Sequence, residues 1–148
     1  MRKRIIAVVM ALASVMVFAT PAHANVGTYC SGWRTMAPGA WQNPCYVRSA
    51  NWEIAARGKG YYDGYPRLDQ LSVSVTLQSS WDGTHWSSVV SRSCGFTDVP
   101  TEPPGGVCTT AVRYVEAGML YRARTFLMLF GTDGSVIVTS PTYSPVAT

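Results

Sequence analysis

The sequence predicts an all-β chain folded as an antiparallel β-sandwich of about seven strands, stapled by two disulfides. Three observations predict it. Residues Asp69 to Trp81 alternate strictly, with Leu71, Val73, Val75 and Leu77 on one parity and Ser72, Ser74, Thr76 and Gln78 on the other, which is the period of a strand with one buried face. Residues Val115 to Thr142 read as a hairpin: Leu120 to Phe130 is a long β-prone run, Gly131-Thr132-Asp133-Gly134 supplies turn chemistry, and Ser135 to Ser140 returns before Pro141 stops the pairing. The four cysteines, Cys30, Cys45, Cys94 and Cys108, are even in number and all lie beyond residue 24, after which no helical period is found.

The chain opens with Arg2-Lys3-Arg4, an apolar run from Ile5 to Ala19, and Ala22-His23-Ala24. This is the pattern of a cleaved secretory signal peptide over residues 1–24; a membrane anchor would need about 20 apolar residues and no small-x-small site. Residues 25–148 then form a single β-sandwich domain. No lipid-attachment box precedes Cys30 and the C-terminal Ser-Pro-Val-Ala-Thr carries no sorting tail, so the product is expected to be secreted and extracellular, with no membrane association after cleavage. Loss of three of the twelve Lys and Arg leaves nine against eight acids, so the net charge of +4 falls to +1 and argues against nucleic acid as a partner.

Taken in order, Val26 to Trp33 reads as a short edge strand, followed by a loop around Pro38-Gly39. Cys45 to Ala56 reads as one strand, with Tyr46, Trp52 and Ile54 on the inward parity. Arg57 to Leu68, R-G-K-G-Y-Y-D-G-Y-P-R-L, reads as a loop because it holds three glycines and a proline. Asp69 to Trp81 is the alternating strand, Asp82-Gly83 a hairpin turn, and His85 to Cys94 the returning strand. Gly95 to Gly106 is a proline-stiffened loop, and Val107 to Val115 a further strand leading into the long hairpin.

Gly118-Met119-Leu120-Tyr121-Arg122-Ala123-Arg124 resembles the sixth-strand entry of immunoglobulin-like and fibronectin type III domains, where a corner is followed by Tyr-Arg-x-Arg. The resemblance implies a tyrosine corner, with the Tyr121 ring in the core and its hydroxyl bonded to backbone upstream. It implies no catalytic residues. An immunoglobulin-like strand order would put Arg57–Leu68, Gly95–Gly106 and Gly131–Gly134 at one end, and Arg34–Pro44, Asp82–His85 and Glu116–Gly118 at the other. Three disulfide pairings are open. Cys30–Cys45 with Cys94–Cys108 is favoured, since each closes a loop of about 15 residues worth roughly 3 kcal/mol by loop entropy.

The inventory for catalysis is thin: beyond residue 24 the single histidine is His85, in a tight turn, and no Gly-x-Ser-x-Gly elbow occurs. With paired cysteines and one histidine, neither a metal site nor a cofactor is expected, and the protein is expected not to be an enzyme. Binding is the better expectation. In Gly58 to Arg67, tyrosine offers stiff contact area with a polar tip, glycine offers adaptable backbone and arginine offers planar donors, so Tyr61, Tyr62, Tyr65 and Arg67 are candidate binding residues. The alternative is that these rings fold back and cover the sandwich end. Trp33, Trp41, Trp81 and Trp86 form a second aromatic set. Cys30-Ser31-Gly32-Trp33-Arg34 resembles the small two-disulfide α-amylase inhibitors of streptomycetes, whose binding turn reads Trp-Arg-Tyr; Thr35 stands here in place of the tyrosine, and the resemblance implies Trp33 and Arg34 as contact residues. The Pro-rich Val99 to Pro104 is a preorganised loop. These residues together predict a non-catalytic module binding an extracellular protein or cell-wall polysaccharide through its Tyr/Gly-rich and Pro-rich loops, with inhibition of an extracellular hydrolase as the alternative.

Overall fold

Every regular element in the computed structural model is a strand over the residues it describes, 26–148, so the expected leader at 1–24 lies outside the described residues. The strands are β1 (Gly27–Cys30), β2 (Arg34–Ala37), β3 (Ala40–Arg48), β4 (Glu53–Tyr62), β5 (Leu68–Ser80), β6 (Ser87–Phe96), β7 (Gly106–Thr109), β8 (Arg113–Tyr114), β9 (Leu120–Gly131), β10 (Val136–Val138) and β11 (Thr142–Tyr143). They form two antiparallel sheets. Sheet A places β3 and β4 centrally, with β1 and β2 end to end along β3 and with β7 and β8 end to end along β4. Sheet B places β9 and β5 centrally, with β6 beyond β5 and with β10 and β11 beyond β9. The expected seven or so strands are thus corrected to eleven segments, because three of the four sheet edges are broken into pairs of short strands.

The sheets pack face to face through the alternation read at residues 71–77. Leu71, Val73 and Leu77 of β5 lie opposite Leu129, Leu127 and Ala123 of β9, and all six are buried together with Ile54 and Ala56 of β4. Burying each large aliphatic side chain contributes about 1.5–3 kcal/mol, which makes this inner face the main source of stability. Polar side chains enter it as well, Thr125 of β9 and Gln42 of β3 among them. Gln42 of β3 is fully buried, and its Nε2 donates to the Ser140 carbonyl and to Thr142 Oγ1, both at 2.9 Å, while Oε1 accepts from Thr139 Oγ1 at 2.8 Å. That network fastens the C-terminal segment of sheet B to sheet A.

The two disulfides take different parts in this arrangement. Cys30–Cys45 joins cross-strand partners of β1 and β3 within sheet A, and Cys94–Cys108 joins β6 to β7, so it stitches the two sheets together. Both match the favoured pairing. At the start of β9, Tyr121 is buried and its hydroxyl accepts a hydrogen bond from the Glu116 N–H at 3.1 Å, which holds the corner before the strand.

Several expected boundaries change. The strand expected over 45–56 is two strands and a turn: Ser49 N–H donates to the Glu53 carbonyl at 3.0 Å, and Trp52 sits at φ 57 with more than half its surface exposed rather than inward. The loop expected over 57–68 is the outer half of β4 as far as Tyr62. Its glycines are there for close packing, not for bending: a Cβ on Gly58 would lie 2.9 Å from Thr125 Cγ2, and one on Gly60 would lie 2.5 Å from Leu127 Cδ2. The β2–β3 turn at Pro38-Gly39 lies beside residues 63–64, at the same end as the Pro-rich loop rather than the opposite one. Trp81 and Trp86 lie at the far end, so the four tryptophans divide into two pairs.

Candidate functional site

The end of the sandwich where β4 stops is built by three segments meeting at its last residues. Tyr62 N–H donates to the Pro100 carbonyl at 2.8 Å, and Asp63 N–H donates to the Gly39 carbonyl at 3.0 Å. One step of backbone therefore ties the Pro-rich loop on one side and the β2–β3 turn on the other. The approach on the turn side is close enough to require glycine: Gly39 has φ 73, and a Cβ there would fall 2.4 Å from Gly64 Cα.

Between residues 62–68 and 97–101 this arrangement leaves a cavity of about 500 Å³. One wall is Tyr62, Asp63, Gly64, Arg67 and Leu68; the other is Thr97, Asp98, Val99 and Thr101. The lining holds two carboxylates, one guanidinium and two threonine hydroxyls together with the apolar side chains of Leu68 and Val99. Among the described residues no carboxylate lies within 4 Å of Arg67, so its donors are not committed to an ion pair. Asp63 is oriented from outside the cavity, since Trp41 Nε1 donates to its Oδ1 at 3.1 Å.

Behind that carboxylate, on the outer face of sheet A, three rings pack together. Trp41 and Tyr61 are cross-strand partners with ring centroids 5.8 Å apart and nearly parallel, and Trp33 meets Tyr61 edge-on at 4.8 Å. Such pairs contribute about 0.5–1.5 kcal/mol each beyond their burial. Tyr61 is left 8% exposed. Its hydroxyl pKa is pushed up by burial and secondarily by the Asp63 carboxylate, so it remains a neutral phenol.

The candidate residues therefore separate. Tyr62 belongs to the core and forms part of the cavity wall, whereas Tyr61 packs with Trp33 and Trp41 on the outer face of sheet A; neither is a free ring. Tyr65 is 92% exposed at the tip of the 63–67 loop, and Arg67 reaches the cavity. Trp33 joins Tyr61, whereas Arg34 is exposed on β2 and does not line the cavity. Trp41 as the orienting partner of Asp63, and Asp98 and Thr97 as lining, escaped the sequence reading. Trp41 was detectable: it lies four residues before Cys45 on the same parity, which marks it as outward-facing next to the first disulfide. Among the described residues no group of three or more His, Cys, Asp or Glu is placed to hold a metal ion. The chain matches no known family model, curated protein or solved structure.

Proposed function

We propose that the protein is a secreted, non-catalytic interaction module with an immunoglobulin-like sandwich, and that it binds a cell-wall polysaccharide in the cleft between its Tyr/Gly-rich and Pro-rich loops. The observation that carries this reading is the convergence of those two loops on one cavity of about 500 Å³, a size suited to one or two sugar residues. Paired carboxylate oxygens accept from vicinal hydroxyls, Arg67 donates to a ring or hydroxyl oxygen, and the threonines do both. The two disulfides fit an oxidising compartment, and the leader pattern supplies the export route.

Inhibition of an extracellular hydrolase is the second reading, favoured by Tyr65, which projects almost fully into solvent from a short loop fixed at both ends. The two are separated by presenting the disulfide-bonded protein to protein-free envelope polysaccharide and, in parallel, to culture supernatant. Retention on polysaccharide, lost in the Arg67→Gln/Asp98→Asn double variant with an unchanged Tm, is the expected result. Capture of a single hydrolase that loses its activity, with loss of capture in Tyr65→Ser, would replace the polysaccharide reading with the inhibitor.

A further inference from the structure

The outer face of sheet B carries a second arrangement that neither the fold nor the cleft uses. Arg122 of β9 is held between two rings, its Cζ 4.0 Å from the centroid of Trp86 and 4.0 Å from that of Tyr143, while its Nε donates to Gln78 Oε1 at 2.9 Å. Two ring contacts and one hydrogen bond through Nε hold the guanidinium in place and leave its two terminal nitrogens without a side-chain acceptor among the described residues. Two residues along the same face, Arg124 lies 5.6 Å from the Phe126 ring. Among the described residues no carboxylate lies within 4 Å of either arginine. Two like charges stand side by side without a counterion, and the burial of Arg122 adds to the penalty of keeping it charged.

Beside the arginines the face carries a row of hydroxyls, of which Ser91 and Ser93 on β6 are exposed while Ser74 and Thr76 on β5 are buried. Thr76 meets Ser91 at 2.9 Å and Ser74 meets Ser93 at 2.6 Å, forming a ladder of short polar side chains across β5 and β6. We propose that this face is a second binding surface, on which Arg122 and Arg124 hold the acid groups of an extended acidic polysaccharide.

The kind of partner follows from where the arginines stand. β9 is an interior strand, paired along its length with β5 and on its other side with β10 and β11, so its backbone groups are already used. An acidic peptide lying there would find no main-chain partners, because peptides that add to sheets do so at edges. A sugar chain needs none. Its carboxylates or sulfates take the guanidinium donors, its C–H faces lie on Phe126, and its hydroxyls meet the exposed Ser91 and Ser93. Because this surface is on sheet B and the cleft is at the loop end, one molecule engages two glycan segments at once, and binding to a wall gains from effective concentration.

The test titrates the disulfide-bonded protein with polygalacturonate and with dextran sulfate, using neutral dextran as reference, and follows the arginine Nε–H resonances by NMR. The acidic polymers are expected to shift the Arg122 and Arg124 signals and to bind at least tenfold more weakly as salt is raised or when Arg124 is replaced in Arg124→Gln; dextran shifts neither signal. Arg124→Gln is chosen because Arg122 also clamps two rings and its loss endangers the fold; an unchanged Tm in Arg124→Gln assigns the weakening to lost binding. Absence of binding to both acidic polymers, equal affinity in Arg124→Gln, or weakening by Arg67→Gln in its place would overturn the inference.

Discussion

Gly60→Ala tests whether residues 58–62 run as a central strand beneath the opposing sheet. Gly60 is not among the glycines held at positive φ, so alanine is conformationally permitted there and the expected effect is steric. The added methyl would lie 2.5 Å from Leu127 Cδ2 and 3.2 Å from Val73 Cγ2, against ordinary contacts near 3.5–4.0 Å. Leu127 and Val73 are both fully buried, so any shift of either must be taken up by the core around it. Overpacking of this kind costs about 1–3 kcal/mol. Restricting the unfolded chain returns about 0.4–1 kcal/mol, so the net destabilisation is centred on about 1.3 kcal/mol. For a domain of this size that lowers Tm by roughly 3–8 °C in a calorimetric or fluorescence melt. Lys59→Ala, one position away and facing outward on the same strand, should stay within about 0.5 kcal/mol. A neutral or stabilising Gly60→Ala would refute the packing argument and return 57–68 to a loop, freeing Tyr61 and Tyr62 to be binding residues after all.

Tyr121→Phe removes the acceptor for the Glu116 N–H and should lower stability by about 1–1.5 kcal/mol in denaturant unfolding, with the midpoint shifted and the slope unchanged. Gln42→Leu removes the acceptor of the Thr139 hydroxyl, which keeps only its contacts with the Leu127 backbone, and the donor to the Ser140 carbonyl and Thr142 Oγ1, and should cost about 1–3 kcal/mol, measured in the same way. His85 Nδ1 lies 2.6 Å from Asp82 Oδ2, and that hydrogen bond raises the imidazole pKa above its ordinary value of 6.5 while lowering that of the Asp82 carboxyl. The histidine contribution to stability is therefore full below pH 6.5 and disappears as pH rises through the elevated folded value; the aspartate contribution is present above its unfolded pKa and is lost as acid protonates it. NMR titration should show the His85 pKa returning towards 6.5 in Asp82→Asn.

The sandwich was legible because the residues that build its inner face are consecutive on one parity. Leu71 to Leu77 announce themselves by alternation and Leu120 to Phe130 as a long β-prone run, and the cysteine spacing favoured one of the three disulfide schemes. The site was less legible, for reasons that lie in tertiary contacts. Gly58 and Gly60 have the local chemistry of a loop, and only the crowding by Thr125, Val73 and Leu127 from the other sheet explains why glycine occupies a strand. The turn at Ser49 to Trp52 contains neither glycine nor proline, and places tryptophan at a positive φ, so the parity of Cys45 to Ala56 seemed continuous across it. Tyr65 and Arg67 were legible as exposed loop residues, whereas Asp63 and Asp98 join the same cavity only through the Tyr62–Pro100 backbone contact, between positions 38 residues apart.

The claim that matters most is that residues 62–68 and 97–101 form one ligand-binding cleft. Chemical-shift mapping with solubilised cell-wall polysaccharide fragments, titrated into isotope-labelled, disulfide-bonded protein, addresses it directly. Saturable shifts at Asp63, Arg67, Thr97, Asp98 and Thr101, absent in the Arg67→Gln/Asp98→Asn variant, are the predicted result. Shifts confined to other surfaces, or shifts that persist unchanged in that variant, would contradict it.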